Sequence, residues 1–366
     1  MASLRLNLAV LLLASLIIAS SAIVLVGRPP VEVELRVVDA YDSAKIGRLD
    51  TLVVEVRNLG GSELSPVFFV TDGSPGGYKA WKIVEGPRLV EPGAKARFVI
   101  KSPYPLNAIP PSRGFIVLLL DPSNETVKAK SRLCRFNLPF TPLRNPNLDY
   151  WVYDVKKGYS EPFAWSFIYC KEGVEHAYLE KVDDTARLVV ANLSRRKGDW
   201  LMSGLWQTVE FPEVVEVKVK PMFSTPVSRR PSRVVAVEVG YGHWDWDEHR
   251  RISNYTVIPY KGLWIAFTND TEEPILLRNC MWEGVAIYFV PVKVGEWNVV
   301  KVNVTRLLLE LGWELPEPQP YTYEGNLYVI RRAELTLFVA KYPWTLHPKE
   351  PLEAYFDYVK ITPHRG

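Results

Sequence analysis

The sequence predicts an all-β protein behind one N-terminal membrane helix: a β-sandwich of about 100 residues, then a larger jelly-roll β-sandwich. Three observations lead there. Residues 6–27 carry no charge and are dominated by Leu, Ile, Val and Ala. From residue 31 onward, short apolar runs alternate with polar residues between Gly and Pro breaks, the pattern of half-buried strands. A helical period of useful length occurs only over Thr305–Leu311, with Leu307, Leu308 and Leu311 on one face.

The N-terminal segment, residues 1–28, is long enough to cross the ~30 Å hydrocarbon core as a helix. Arg5 precedes it, so the positive-inside rule puts the bulk of the chain outside. The other reading is a cleaved signal peptide, with Ala19-Ser20-Ser21-Ala22 supplying small residues for a peptidase. The apolar stretch continues through Ile23-Val24-Leu25-Val26, beyond a usual signal core, which favours the anchor. Both readings export the rest of the chain, to the cell surface or as a secreted protein. The acceptor pattern Asn-x-Ser/Thr then makes Asn124, Asn192, Asn254, Asn269 and Asn303 candidate glycosylation sites, against ordinary turn asparagines.

Composition excludes several classes. Apolar residues make up 48% and charged residues 23%, which rules against disorder. A net charge of +3 gives no footprint for nucleic acid. Abundant Pro (29), few Met and Cys, and only two glutamines, Gln207 and Gln319, follow the trend of heat-adapted proteins. Three cysteines in an oxidising compartment permit one disulfide. Cys170 and Cys280 fall in the same domain and are the expected pair; the alternative is three buried thiols. No Cys-x-x-Cys spacing offers a zinc site.

In the first domain, residues 31–135, strands are expected over residues 31–37, 52–58, 67–70, 96–100 and 115–120. Its runs Gly47–Leu52, Val54–Gly60 and Leu89–Ala94 resemble CARDB-type and related immunoglobulin-like modules of archaeal and bacterial surface proteins. The resemblance implies an immunoglobulin-like spacer or adhesion unit and no catalytic residue. Residues 136–147 hold Pro139, Pro142 and Pro146 and read as a linker.

Composition shifts beyond it: eleven of the twelve tryptophans lie at or after Trp151. Strands are expected over 163–169, 187–192, 205–211, 214–220, 234–239, 285–290, 299–304, 333–340 and 354–361. Three pieces of this domain, residues 148–366 with the preceding Asn145-Pro146-Asn147, resemble galactose-binding-like and carbohydrate-binding jelly rolls. They are Asn145–Leu148 with Pro162–Trp165, Gly295–Val304, and the closing Tyr355–Ile361 around Asp357. The resemblance implies a structural Ca2+ joining the two ends, held by Asp357 and oxygens near Asn145, Asn147 or Asp149. The alternative is that Asp357 pairs locally.

The densest polar cluster is His243-Trp244-Asp245-Trp246-Asp247-Glu248-His249. In extended backbone His243, Asp245, Asp247 and His249 share one face, and Trp244 and Trp246 the other. Such a stretch suits a divalent ion, a sugar, or carboxylates for glycoside hydrolysis, against a solvated loop with its tryptophans folded back. Trp200, Trp244 and Trp246 lie in polar sequence and are the candidate sugar platforms; Trp206 and Trp297 adjoin apolar strands and are expected in the core. Glu283 and Glu296 are the carboxylates to test for hydrolysis. No nucleophile elbow, zinc-protease helix, phosphate loop or dinucleotide fingerprint occurs. The expectation is a membrane-anchored extracellular glycoprotein whose jelly roll binds carbohydrate or a cell-surface protein without catalysis. The alternatives are an exported glycoside hydrolase or lyase, and a structural subunit of a surface layer or filament.

Overall fold

Among the described residues, alternation of apolar and polar residues is realised as strand. The computed structural model describes residues 32–72, 79–104, 108–110, 113–122, 126–136, 138, 140–169, 177–191, 201–242, 260–281, 283–323, 325–342 and 351–364. Among them no helix is long and apolar enough to cross a membrane, and the apolar segment 6–27 lies outside them. The chain divides into two units. The first comprises Leu52–Lys101, Ile116–Cys134 and the stretch up to Asp39; the second comprises Ala40–Thr51, Ser102–Phe115 and Arg135–Gly366.

The first unit holds β1 (Val33–Tyr41), β2 (Thr51–Asn58), β3 (Val67–Thr71), β4 (Lys79–Glu85), β5 (Lys95–Lys101), β6 (Ile116–Asp121) and β7 (Thr126–Lys130). They follow the path β1-β2-β5-β4-β3-β6-β7. β4, which the alternation reading passed over, is the hinge of that path. Its start pairs with β3 (Phe68↔Trp81) and its end with β5 (Ile83↔Ile100), with a bulge before Glu85. A bulge bends a strand, and the path folds over until buried Phe68 and Phe98 meet at 5.2 Å between ring centroids. Gly86 follows with φ +135°, and a Cβ there would stand 2.4 Å from the Phe98 ring, so only glycine fits. Buried Asn58 holds the neighbouring turn: its amide donates to the Ser62 and Val90 carbonyls, and its oxygen accepts from Gly60 N.

The second unit adds β8 (Trp151–Asp154), β9 (Tyr159–Pro162), β10 (Ser166–Tyr169), β11 (Ala177–Val182), β12 (Thr185–Val190), β13 (Leu201–Glu210), β14 (Pro212–Pro221), β15 (Arg233–Tyr241), β16 (Lys261–Thr268), β17 (Ile275–Leu277), β18 (Val285–Pro291) and β19 (Asn298–Asn303). After these come helix α1 (Val304–Leu311), β20 (Pro318–Tyr323), β21 (Asn326–Lys341) and β22 (Leu352–Pro363). A large sheet runs β10-β13-β21-β15-β16-β18-β17, with β20 on β21; a smaller one runs β11-β12-β22-β14-β19. Leu205, Val237, Leu263 and Leu337 of the large sheet share one buried cluster with Leu188, Val217 and Phe356 of the small one. α1 forms as expected, capped by Asn303 Oδ1 accepting from Arg306 N at 2.8 Å and ended by Gly312 at φ 70°.

β16 is, like β4, a strand that the sequence reading missed. Its Gly262–Thr268 stretch is buried throughout, so no polar alternation marks it, and it pairs parallel to β18.

The Pro-rich stretch before residue 148 is pinned at its end. Leu143 is buried in the core, and Gln207 bonds both the N–H and the carbonyl of Arg144, at 3.1 and 3.0 Å. Asn145, 1% exposed and at φ 48°, donates to the Tyr150 and Phe163 carbonyls and accepts from Tyr150 N and, through its own carbonyl, from the Trp165 indole. Replacing Asn145 by Ala removes the three bonds of its side chain and strands buried partners, for an expected loss of about 2–4 kcal/mol. Exposed Asn147→Ala is expected to stay within about 0.5 kcal/mol. Tryptophan fluorescence during urea unfolding reads this unit, since eleven of twelve tryptophans follow residue 150. Equal losses in the two variants would refute the assignment.

Candidate functional site

The large sheet has two faces, and strand alternation decides what each carries. Odd positions of β13, β15, β16 and β21 point to the core; even positions point away from it. Register then aligns Trp206, Thr336, Glu238 and Trp264 in one row across four strands. Thr208, Glu334, Gly240 and Gly262 form the next row.

The two glycines make room for an aromatic ring. A Cβ on Gly240 would stand 2.5 Å from the Tyr260 hydroxyl, and one on Gly262 would stand 2.8 Å from Glu238 Oε1 and 3.0 Å from the Tyr260 ring. With both absent, Tyr260 lies against the sheet and its hydroxyl donates to Glu238 Oε1. The Trp264 indole donates to the same oxygen at 2.9 Å. Trp264 is itself fixed, edge-on to Phe338 at 5.2 Å and stacked on Tyr342 at 6.1 Å.

Glu238 keeps some exposed surface, but desolvation of its carboxyl group pushes its pKa above the ordinary carboxylate value. The two donors oppose that rise and the charge of Glu334 adds to it. No described residue donates to the second oxygen of Glu238. Beside it, Thr336 is buried and Trp206 half-buried. The half-buried Trp206 ring, the Thr336 hydroxyl and a positioned acceptor stand in one row that ends in buried Trp264, a set that can pack a sugar ring and bond its hydroxyls.

Glu238, Tyr260, Thr336 and Glu334 escaped sequence reasoning. The available signal was Glu238 itself, the only charge in the run Val234-Val235-Ala236-Val237-Glu238-Val239. Trp206 and Trp297 are corrections. Trp206 points away from the core at an even position of β13. Trp297 is 42% exposed, because Gly295–Asn298 is a turn closed by the Asn298 side chain on the Lys293 and Glu296 carbonyls. The candidate ligand residues Trp200, His243, Trp244, Asp245, Trp246 and Asp247 lie outside the described residues; in sequence, 243–259 joins β15 to β16. Glu283 and Glu296 are both exposed, and Glu296 pairs with Lys293 at 3.7 Å.

Asp357, expected as a Ca2+ ligand, pairs locally. β22 carries a bulge that turns Asp357 outward, and its carboxylate pairs with the Lys218 ammonium, which also lies 5.3 Å over the Trp297 ring. Asn147 and Asp149 are exposed, and among the described residues no three His, Cys, Asp or Glu side chains gather as a metal site. Cys280 is a buried free thiol donating to the Leu277 carbonyl, and Cys170, its expected partner, lies outside the described residues. Of the acceptor asparagines, Asn269 and Asn303 are exposed; Asn124, Asn192 and Asn254 lie outside the described residues.

No family model matches the chain, so the likeness of residues 31–135 to CARDB-type modules has no support from that side, and no curated protein matches it either. Solved structures do. TmCBM61 in complex with β-1,4-galactotriose matches at TM-score 0.26 and 10% identity, over 60% of this chain and 98% of that one. A carbohydrate-binding-module structure from the β-sandwich superfamily, described as promiscuous in specificity, matches at 0.26 and 9%, over 89% and 96%. The secreted serine protease VesC from Vibrio cholerae matches at 0.19 and 9%, over 91% of this chain and 51% of that one. Similarity this distant carries no function across.

Two outcomes test the site's construction. The folded chain holds the Glu238 proton more tightly than the unfolded chain does, so this group's stabilisation is full below its ordinary pKa and is lost as pH rises through the raised value. Glu238→Gln is expected to flatten that part of the pH–stability curve, read by urea midpoints across mildly acidic to neutral pH; an unchanged slope would refute the raised pKa. Calcium or chelator is expected to leave the melting temperature unchanged, and a calcium-dependent rise abolished by Asp357→Asn would restore the metal reading.

Proposed function

We propose that this chain is an exported, membrane-anchored surface protein whose second unit binds carbohydrate on the outer face of its large sheet. The observation that carries the reading is the row Trp206–Thr336–Glu238–Trp264, with Tyr260 seated over Gly240 and Gly262. Flat apolar sugar faces pack on aromatic rings while their hydroxyls need fixed partners, and this row supplies both. The uncharged segment 6–27 supports the anchor, and exposed Asn269 and Asn303 support surface glycosylation.

A second reading, glycoside hydrolysis, is favoured by one observation. Glu238 faces Thr336 and Glu334 lies two residues along, so the carboxylates are diagonal neighbours on one face. Such neighbours have Cβ atoms within about 7–8 Å, so their carboxyl groups lie within reach of the ~5–9.5 Å separations that paired-carboxylate glycosidases use.

A glycan-array screen of the full-length chain, run beside a reducing-sugar release assay, separates the two. Binding without release is expected, with Trp206→Ala weakening it by about tenfold or more. Release that Glu238→Gln and Glu334→Gln each abolish would move the assignment to the hydrolase. Absence of both binding and release would leave a structural surface role.

A further inference from the structure

We infer that this face selects neutral, hydroxyl-rich glycans and excludes anionic ones such as uronate-containing or sulfated chains. The inference rests on the carbohydrate-binding reading and names the substrate class of that site.

Its basis is the charge that register places around Trp206. At the even positions of β13, β15 and β21, the same face carries Glu210, Glu238 and Glu334. Arg332, opposite Glu210, is the one cation at those positions among the described residues. It does not stand free to receive an anion: its guanidinium pairs with Glu334 at 3.6 Å and lies 6.0 Å over the Tyr321 ring. Nearby Lys261 of β16 is drawn over Trp313, at 5.3 Å.

On the small sheet, at the opposite side of the sandwich, several cations are already engaged. Arg187 bonds Glu180 and Glu353, Lys218 pairs with Asp357, and Lys360 with Glu216. A ligand stacked on Trp206 therefore meets hydrogen-bond acceptors in carboxylates and mixed partners in Thr208 and Thr336. Sugar hydroxyls donate to carboxylates at charge-assisted strength. The carboxylate of a uronate or the sulfate of a sulfated sugar offers acceptors only, against the negative charge of Glu210 and Glu334, which is how an interface rejects a wrong partner.

The test titrates the full-length chain with neutral oligosaccharides (glucan, mannan and galactan series) and with oligogalacturonate and alginate oligomers of matched length. Neutral oligomers are expected to bind, and anionic ones at least about tenfold more weakly at low salt, with the gap narrowing as salt screens it. Glu334→Gln, at a half-exposed position, is expected to narrow the gap from the anionic side, whereas Trp206→Ala weakens neutral binding. Anionic oligomers binding as tightly as neutral ones would overturn the selectivity while leaving carbohydrate binding standing. Binding of neither class would overturn the carbohydrate reading and the selectivity with it.

Discussion

A strand in the middle of the large sheet has two faces to satisfy, and the pleat assigns its residues between them with a period of two. In β15 and β21, Val235, Val237, Val239, Leu335, Leu337 and Val339 face the small sheet, while Val234, Ala236, Phe338 and Ala340 form a second apolar cluster on the other side. Glu238 and Glu334 continue that second face toward its open end. A slip of one residue would exchange the faces, carrying both carboxylates into the core. Long antiparallel pairings with β13 and β16 hold the register, from Leu201↔Lys341 to Glu210↔Arg332 on one side and Ala236↔Ala266 to Tyr241↔Lys261 on the other. The core, the covered outer cluster and the polar row all hang on that alignment.

The two outward sheet faces of the second unit solve the same problem differently. On the small sheet, charges answer one another: Arg187 with Glu180 and Glu353, Lys218 with Asp357, Lys360 with Glu216, and Lys220 and Arg187 over Tyr355. Surface pairs of this kind contribute about 0–1 kcal/mol each and keep a flat face solvated. On the large sheet, Glu238 instead takes two donors on one oxygen and none from the described residues on the other. The first face is complete in itself, whereas the second has bonding capacity to spare.

Legibility in the sequence followed burial. β14 alternates Val215, Val217 and Val219 with Glu216, Lys218 and Lys220, and its strand was evident at once; α1 showed its apolar stripe. β16 was hidden because both its faces are buried, and with it went Trp264 and the partner row that gives Glu238 meaning. Trp297 misled because apolar neighbours in β19 suggested core, when the tight turn before that strand throws the ring outward. The densest polar cluster in the sequence lies near His243, whereas the described row assembles single residues from four strands, a juxtaposition that only register reveals.

The pair of missing side chains at Gly240 and Gly262 ties three positions into one heritable unit. The Tyr260 ring fills the volume that two Cβ atoms would need, and its hydroxyl reaches Glu238 only from there. Enlarging either glycine evicts the ring; shrinking the ring leaves a void over bare backbone and a carboxylate short of one donor. Change at these places is therefore non-additive, so drift at any one of them is tolerated only in company, and a lineage that lost Tyr260 would be free to fill both glycines and close the face for good.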